Sequence, residues 1–356
     1  MIDFLVIGGG IAGVSAAAGL SAHGSTALLE AEPTLGYHAS GRSAAMFEEE
    51  YGNATVCALN RASAAHHKAA GVLSPRGLMI LARAEEEDSF RADCSAYRME
   101  AISPTEACHR VPILDPKAVR FAARHDDAMD LDTDRLLQGY LKTATANGAQ
   151  IHLKSPVTAI RRLGKGWEVI CGQTSHQARR LINAAGAGSD QIAALAGVDT
   201  LGLQAYRRSM ARTAAPDGQD VTGWPMIFGT GETWYAKPDA GAWLISPADE
   251  DPMPPQDAWA EDMVLAEGIA RYEEFVTTPV TRMIANWAGL RTFAPDRTLV
   301  IGPEPSVPDF FWHAGQGGYG FQTAPAAADL LTALASGTKP ILDPTDIAAL
   351  SPQRFR

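Results

Sequence analysis

No apolar run in the 356-residue chain reaches the roughly 18 residues that a membrane-spanning helix needs. Positive charge is in deficit: 30 Lys and Arg stand against 41 Asp and Glu, so the net charge is 30 − 41 = −11. That balance argues against a general binder of nucleic acid or anionic lipid. Cysteine is scarce too. Cys57, Cys94, Cys108 and Cys171 share no CxxC or metal-like spacing, which predicts reduced thiols in a cytoplasmic protein and no metal site. The adjacent His66 and His67 would point about 100° apart on a helix and so would not share an ion. Asp3 stands where a signal peptide would turn apolar, so none is expected. Repeats and low-complexity tracts are absent, and the 22 prolines are spread out, leaving no flexible linker. What remains is a chain that is 46% apolar and long enough for a large core.

The clearest motif comes first. Phe4, Leu5, Val6 and Ile7 read as a buried parallel strand, and Gly8, Gly10 and Gly13 follow in a G-x-G-x-x-G pattern. Gly8 permits a tight turn, Gly10 lets a pyrophosphate approach the backbone, and Gly13 lets a helix pack close to the strand. A helix over 11–22 would present the free N–H groups of Ile11 and Ala12 to phosphate. A second strand, TALLE, ends at Glu30 beside Ala31, where an acid accepts from an adenosine ribose hydroxyl. Strand, glycines, helix, strand and acid in this order predict a dinucleotide site.

Further along, Asp132 caps a predicted helix that Gly148 stops, and AQIHL, VTAI and WEVI read as three strands. Residues 200–284 carry short β-branched and aromatic runs bounded by Gly, Pro and Asp, as antiparallel strands do. Residues 255–276 read as one amphipathic helix, and Thr323 to Leu334 as another. The expected fold is α/β. A Rossmann-like, glutathione-reductase-type domain (1–76, 132–199 and 285–356) is joined to an α+β substrate domain built on an antiparallel sheet (77–131 and 200–284).

GYHASGRSAAMFEEEYG (36–52), LINAAGAGSD (181–190), PDRTLVIGP (295–303) and HAGQGGYGFQTAP (313–325) together resemble the D-amino acid oxidase superfamily of FAD enzymes. LSPR, LDTD, QGYL, RRS, WAGLR and QGGYG are most similar to its bacterial D-arginine dehydrogenase branch. The resemblance implies noncovalent FAD, although His38 stands where some relatives attach flavin covalently. It places Gly41, Arg42 and Ser43 near the pyrophosphate, Val157 at adenine, and Ala185 and Gly186 beside the cofactor. Gly315, Gly317, Gly318, Tyr319 and Gly320 would meet the flavin. Arg208 and Arg291 are implied as the carboxylate cations, a role that suits guanidinium. Tyr51 and Tyr235 would close the site, and the Gly318 carbonyl would accept from the amine.

Two departures bear on the side-chain pocket. Leu78 stands where the branch has an acid, and Met46 where it has a histidine. Leu78, Met226 and Phe228 favour an apolar side chain, whereas Glu48, at a position of neutral hydroxyl residues, would suit a cation. The implied activity is oxidation of D-amino acids to imino acids, then 2-oxo acids, with O2 or a quinone-type acceptor. Secondary amines of the glycine or sarcosine type and 2-hydroxy acids are alternative substrates, and a non-catalytic flavin-binding protein is an alternative of another class.

Overall fold

The computed structural model describes residues 1–356 and contains no helix long and apolar enough to cross a membrane. Strand Ile2–Ile7 lies between Thr26–Leu29 and Thr174–Asn183, parallel to both. Gln150–His152 extends the sheet on one side, and Val307–Ala314 then Val300–Glu304 on the other. Alternation within one strand feeds two cores: Phe4 and Val6 join a helical layer, while Leu5 and Ile7 face Trp167, Val169 and Trp312. That two-sided burial is why the strand reads as an unbroken apolar run. Helices Ile11–Leu20, Thr133–Ala146 and Gly320–Ser336 pack together on the first side. Asp132 caps the second of them by accepting from the Arg135 N–H at 2.9 Å.

A second, nine-stranded sheet carries the rest. Near one end of it, strand Gln204–Thr213 pairs with Met283–Phe293 along its full length and with Ala242–Ser246 on the opposite edge. Tyr235–Asp239, Met226–Gly229, Leu78–Ala82 and Phe121–His125 follow in order. All neighbours in that series are antiparallel except Met226–Gly229 with Leu78–Ala82. Met79, Leu81, Ile227, Ala236, Trp243 and Ile245 pack one face against Tyr272 and Phe275. The other face is left for the site.

Two expectations are corrected here. Met283–Phe293 belongs to this second sheet, so the last dinucleotide-domain segment begins after Phe293 and not near 285. The helix over 255–276 is shorter, Asp262–Glu273, because 255–261 crosses to the first domain. There the Asp257 carboxylate and the Ala258 carbonyl accept from Arg42.

His313, on Val307–Ala314, is buried with no partner for Nδ1, and burial pushes its imidazole down to about 4. A depressed imidazole leaves the unfolded chain holding the extra proton between its own value, about 6.5, and that lower one. Stability is therefore expected to fall as pH drops from about 6.5 to 4, by about 3 kcal/mol from this group. Thermal unfolding across that window checks it, and His313→Gln should flatten the slope.

Candidate active site

A cavity of about 560 Å³ opens at the carboxyl ends of the parallel strands. Gly8 has φ +107°, and a Cβ there would sit 2.3 Å from the Ala184 carbonyl oxygen. A Cβ on Gly13 would lie 1.8 Å from the Gly8 oxygen. Gly10 meets only Ser40 Oγ at 3.1 Å, so its backbone faces open space. The Ile11 N–H, at the helix start, donates to that same Ser40 Oγ. Glu30 is held by two backbone donors, Gly9 N–H at 2.6 Å and Glu32 N–H at 2.8 Å. A glycine turn, a helix N-terminus and a fixed carboxylate on one wall match a dinucleotide's pyrophosphate and ribose.

Ala31, Ser43, Val157, Ala185, Gly186, Gly317, Gly318 and Gly320 line the same cavity. Gly13, Gly41, Gly315 and Tyr319 do not; they shape it from behind. A Cβ on Gly41 would meet the Gly36 oxygen at 2.5 Å, and the Tyr319 ring packs on Tyr51. Arg42 lines the wall, but its guanidinium is engaged elsewhere. It donates to the Ala258 and Ala288 carbonyls, each at 2.9 Å, and pairs with Asp257, whose carboxyl this contact holds below its ordinary range. Arg42 thus ties the two domains across the cavity. The helix expected from Thr323 starts at Gly320, and Gly320, Phe321 and Gln322 reach the cavity wall.

A second cavity of about 110 Å³ adjoins the first, with Arg208, Met46, Tyr235, Arg291, Gly318 and Gln322 among the residues common to both. Tyr51, Glu48, Leu78, Met226 and Phe228 line it as well, so all ten expected substrate-side residues converge. Strand register explains most of this. Arg208 pairs with Gly289, two residues from Arg291, so both arginines rise from one face. Phe228 pairs with Tyr235, Met226 with Leu78, and Leu78 with His125. One face of the sheet thus carries, in order, two cations, a phenol, an apolar stretch and an imidazole.

Neighbouring arginines have opposite fates. Arg207, on the far face, is fully buried among Asp249, Asp251 and Glu261. Arg208 is 8% exposed, has Glu250 at 3.5 Å as its one ion pair, and leaves Nε and Nη1 without partners. A buried guanidinium with two unsatisfied donors calls for an anionic ligand. Arg291 Nη1 donates to the Tyr51 hydroxyl at 3.4 Å, and burial pushes that phenol upward, keeping it a neutral donor.

Several contributors were not legible in the sequence. Asn60, on helix Ala54–Ala70, is fully buried and donates through Nδ2 to the carbonyls of Glu48, Glu49 and Tyr51 at 3.1–3.3 Å. Gln322 braces the same loop, donating to the Tyr51 carbonyl and accepting from the Glu48 N–H, both at 3.3 Å. Replacing Asn60 with leucine orphans the Glu49 carbonyl and leaves those of Glu48 and Tyr51 with one donor each, the Tyr51 N–H and Gln322. It is expected to cost about 1–3 kcal/mol in denaturant melts and to raise KM by loosening Tyr51. Tyr97 and Glu232 complete the lining, joined by a 2.7 Å bond from phenol to carboxylate. Glu232 sits at φ +53°, beside a Gly231 whose N–H donates to Asp93. Its acid reaches the cavity only through that turn.

The chain matches the model of the DAO family, described as FAD dependent oxidoreductase, over residues 3–334. A glycine oxidase of Pseudomonas aeruginosa is 40% identical over 65 residues, a stretch spanning only 18% of either chain. The mitochondrial dimethylglycine dehydrogenase of Rattus norvegicus is 22% identical over 386 aligned positions, which cover 99% of this chain and 45% of that protein. Among solved structures, glycine oxidase from Geobacillus kaustophilus superposes with a TM-score of 0.84 at 20% identity, covering 100% of this chain and 99% of that one. L-proline dehydrogenase from P. horikoshii gives 0.83 at 20% identity, covering 99% and 97%.

Proposed function

From the premise that the chain belongs to the DAO family of FAD-dependent oxidoreductases, we propose that it oxidises D-amino acids to imino acids. Water then hydrolyses these to 2-oxo acids and ammonia. The observation that carries the reading is Arg208, buried in the wall shared by both cavities with Nε and Nη1 unpaired.

Glu30 would hold the adenosine ribose, and Gly8 to Ala12 the pyrophosphate. Gly317, Gly318 and Phe321 would flank the flavin, without a covalent bond. When bound, FAD accepts the hydride that leaves the substrate Cα. This chain's residues bind and orient the substrate. Arg208 and Arg291 hold the α-carboxylate, and Tyr51 donates to it from beside Arg291. The Gly318 carbonyl accepts from the amine, which turns the Cα–H toward the cofactor. Tyr51, Tyr97 and Tyr319, whose rings pack on one another, keep water out. Four unpaired cysteines accord with a cytoplasmic setting.

A second reading is a secondary-amine substrate. It is favoured by the solved structures of a glycine oxidase, an iminodiacetate oxidase and a proline dehydrogenase that share the fold. The carboxylate contacts would be the same; only the amine differs. Product analysis separates the two. Ammonia and a 2-oxo acid from D-amino acids support the first reading. Turnover of sarcosine or proline without ammonia supports the second.

A further inference from the structure

The cavity lined by Arg208 and Arg291 also holds a buried carboxylate with an unmet valence. Glu48 is 5% exposed, and its Oε1 accepts from the Glu50 N–H at 3.0 Å. Its Oε2 has no hydrogen-bond partner. His125 Nε2 comes within 3.1 Å of that oxygen, out of hydrogen-bond alignment. Burial pushes the Glu48 carboxyl upward, and Glu49 and Glu50 add to the push. The two arginines nearby, Arg61 and Arg98, turn to Glu50 instead, at 3.9 and 3.1 Å. Asn60 and Gln322 nonetheless clamp the Glu48 backbone in place from two helices. A carboxylate fixed in an apolar wall of Met46 and Leu78 costs stability unless a cation arrives.

Its position says which part of a ligand it meets. His125 and Arg208 sit five strands apart across the sheet, through Leu78–Ala82, Met226–Gly229, Tyr235–Asp239 and Ala242–Ser246. At about 4.8 Å per strand, the path along the sheet is at most roughly 24 Å. An α-amine lies one carbon from its carboxylate and stays beside the arginines. The group that reaches Glu48 is the end of the side chain.

We propose that Glu48 is the specificity-determining residue for the substrate side chain, and that it selects a terminal ammonium or guanidinium. This rests on the amino acid reading above. Leu78, Met226 and Phe228 then cover the methylene stem, which long cationic side chains bury readily. Apolar walls and a distal acid are thus parts of one recognition surface rather than rival preferences.

The test compares D-lysine with D-norleucine, which share a carbon chain and differ by the terminal ammonium. Two readouts are taken: kcat/KM, and the shift in melting temperature of the FAD-loaded protein with each compound under anaerobic conditions. The expected result is at least a tenfold preference for D-lysine, falling to near unity in Glu48→Gln, which keeps size and removes charge. D-norleucine equal to or better than D-lysine would overturn the inference, as would a preference that Glu48→Gln leaves intact. Should that variant not fold, the comparison in the unmodified protein decides alone. Turnover of neither compound, with turnover of secondary amines, strikes the amino acid reading instead and is distinguishable on that ground.

Discussion

Arg208→Met is expected to lower kcat/KM for the best amino acid substrate by roughly 30- to several-thousand-fold while FAD remains bound. The range follows from truncating one partner of a buried charge pair, about 2–5 kcal/mol, at about 1.4 kcal/mol per tenfold. Arg208 is the residue to change because its surroundings isolate it. Its sequence neighbour Arg207 is saturated by three carboxylates, whereas Arg208 keeps two guanidinium nitrogens unpaired in the cavity wall. The same argument predicts asymmetry between the two positions. Arg207→Met strips the cation from Asp249, whose side chain is 6% exposed, leaving it only the two Ser209 donors, and should reduce the melting temperature. Arg208→Met removes a cation that has no full partner within the protein, so stability should hold or rise. Steady-state kinetics with a melt on each variant check both halves.

Gly13→Ala is expected to abolish FAD retention. Helix propensity alone favours the change by about 1 kcal/mol. Sterics oppose it more strongly, since the added Cβ would lie 1.8 Å from the Gly8 carbonyl oxygen. No side-chain rotation relieves a clash with backbone. The helix must move off the strand, and with it the N–H groups that face the pyrophosphate. Gly139→Ala is the matched control, with nothing within 4 Å of its added Cβ in helix Thr133–Ala146. It should raise the melting temperature and leave the flavin spectrum unchanged. Flavin absorbance of the two purified variants, read side by side, decides this.

The parts of the fold written in local pattern were readable. The glycine spacing places Gly8, Gly10 and Gly13 by their separate steric needs, and Asp132 caps its helix as its residue type suggests. The substrate-side residues were reached through motifs, and their shared face follows from period-two alternation once the strand register is known. Register itself is nonlocal, which is why residues 285–293 were expected in the dinucleotide domain although they pair with Gln204–Thr213. The segment 255–261 has helical composition, yet the Ala258 carbonyl and Asp257 carboxylate that Arg42 engages hold it out of the helix. Glu232 looks like any loop acid in sequence. Its role depends on a left-handed turn and on Tyr97, 135 residues away. Asn60 gave no signal, because nothing local marks an amide whose three acceptors lie on another segment.

The central claim is that the cavity orients an amino acid, by its carboxylate, for hydride loss from Cα. Anaerobic mixing of the FAD-loaded protein with D- and L-amino acids, glycine, sarcosine, 2-hydroxy acids and the matching amines without a carboxylate, followed by flavin bleaching, tests it most directly. Rapid bleaching by D-amino acids, with none from the matching amines that lack a carboxylate, is the expected result. Bleaching that is indifferent to the carboxylate, or no bleaching by any compound while FAD is bound, would contradict it.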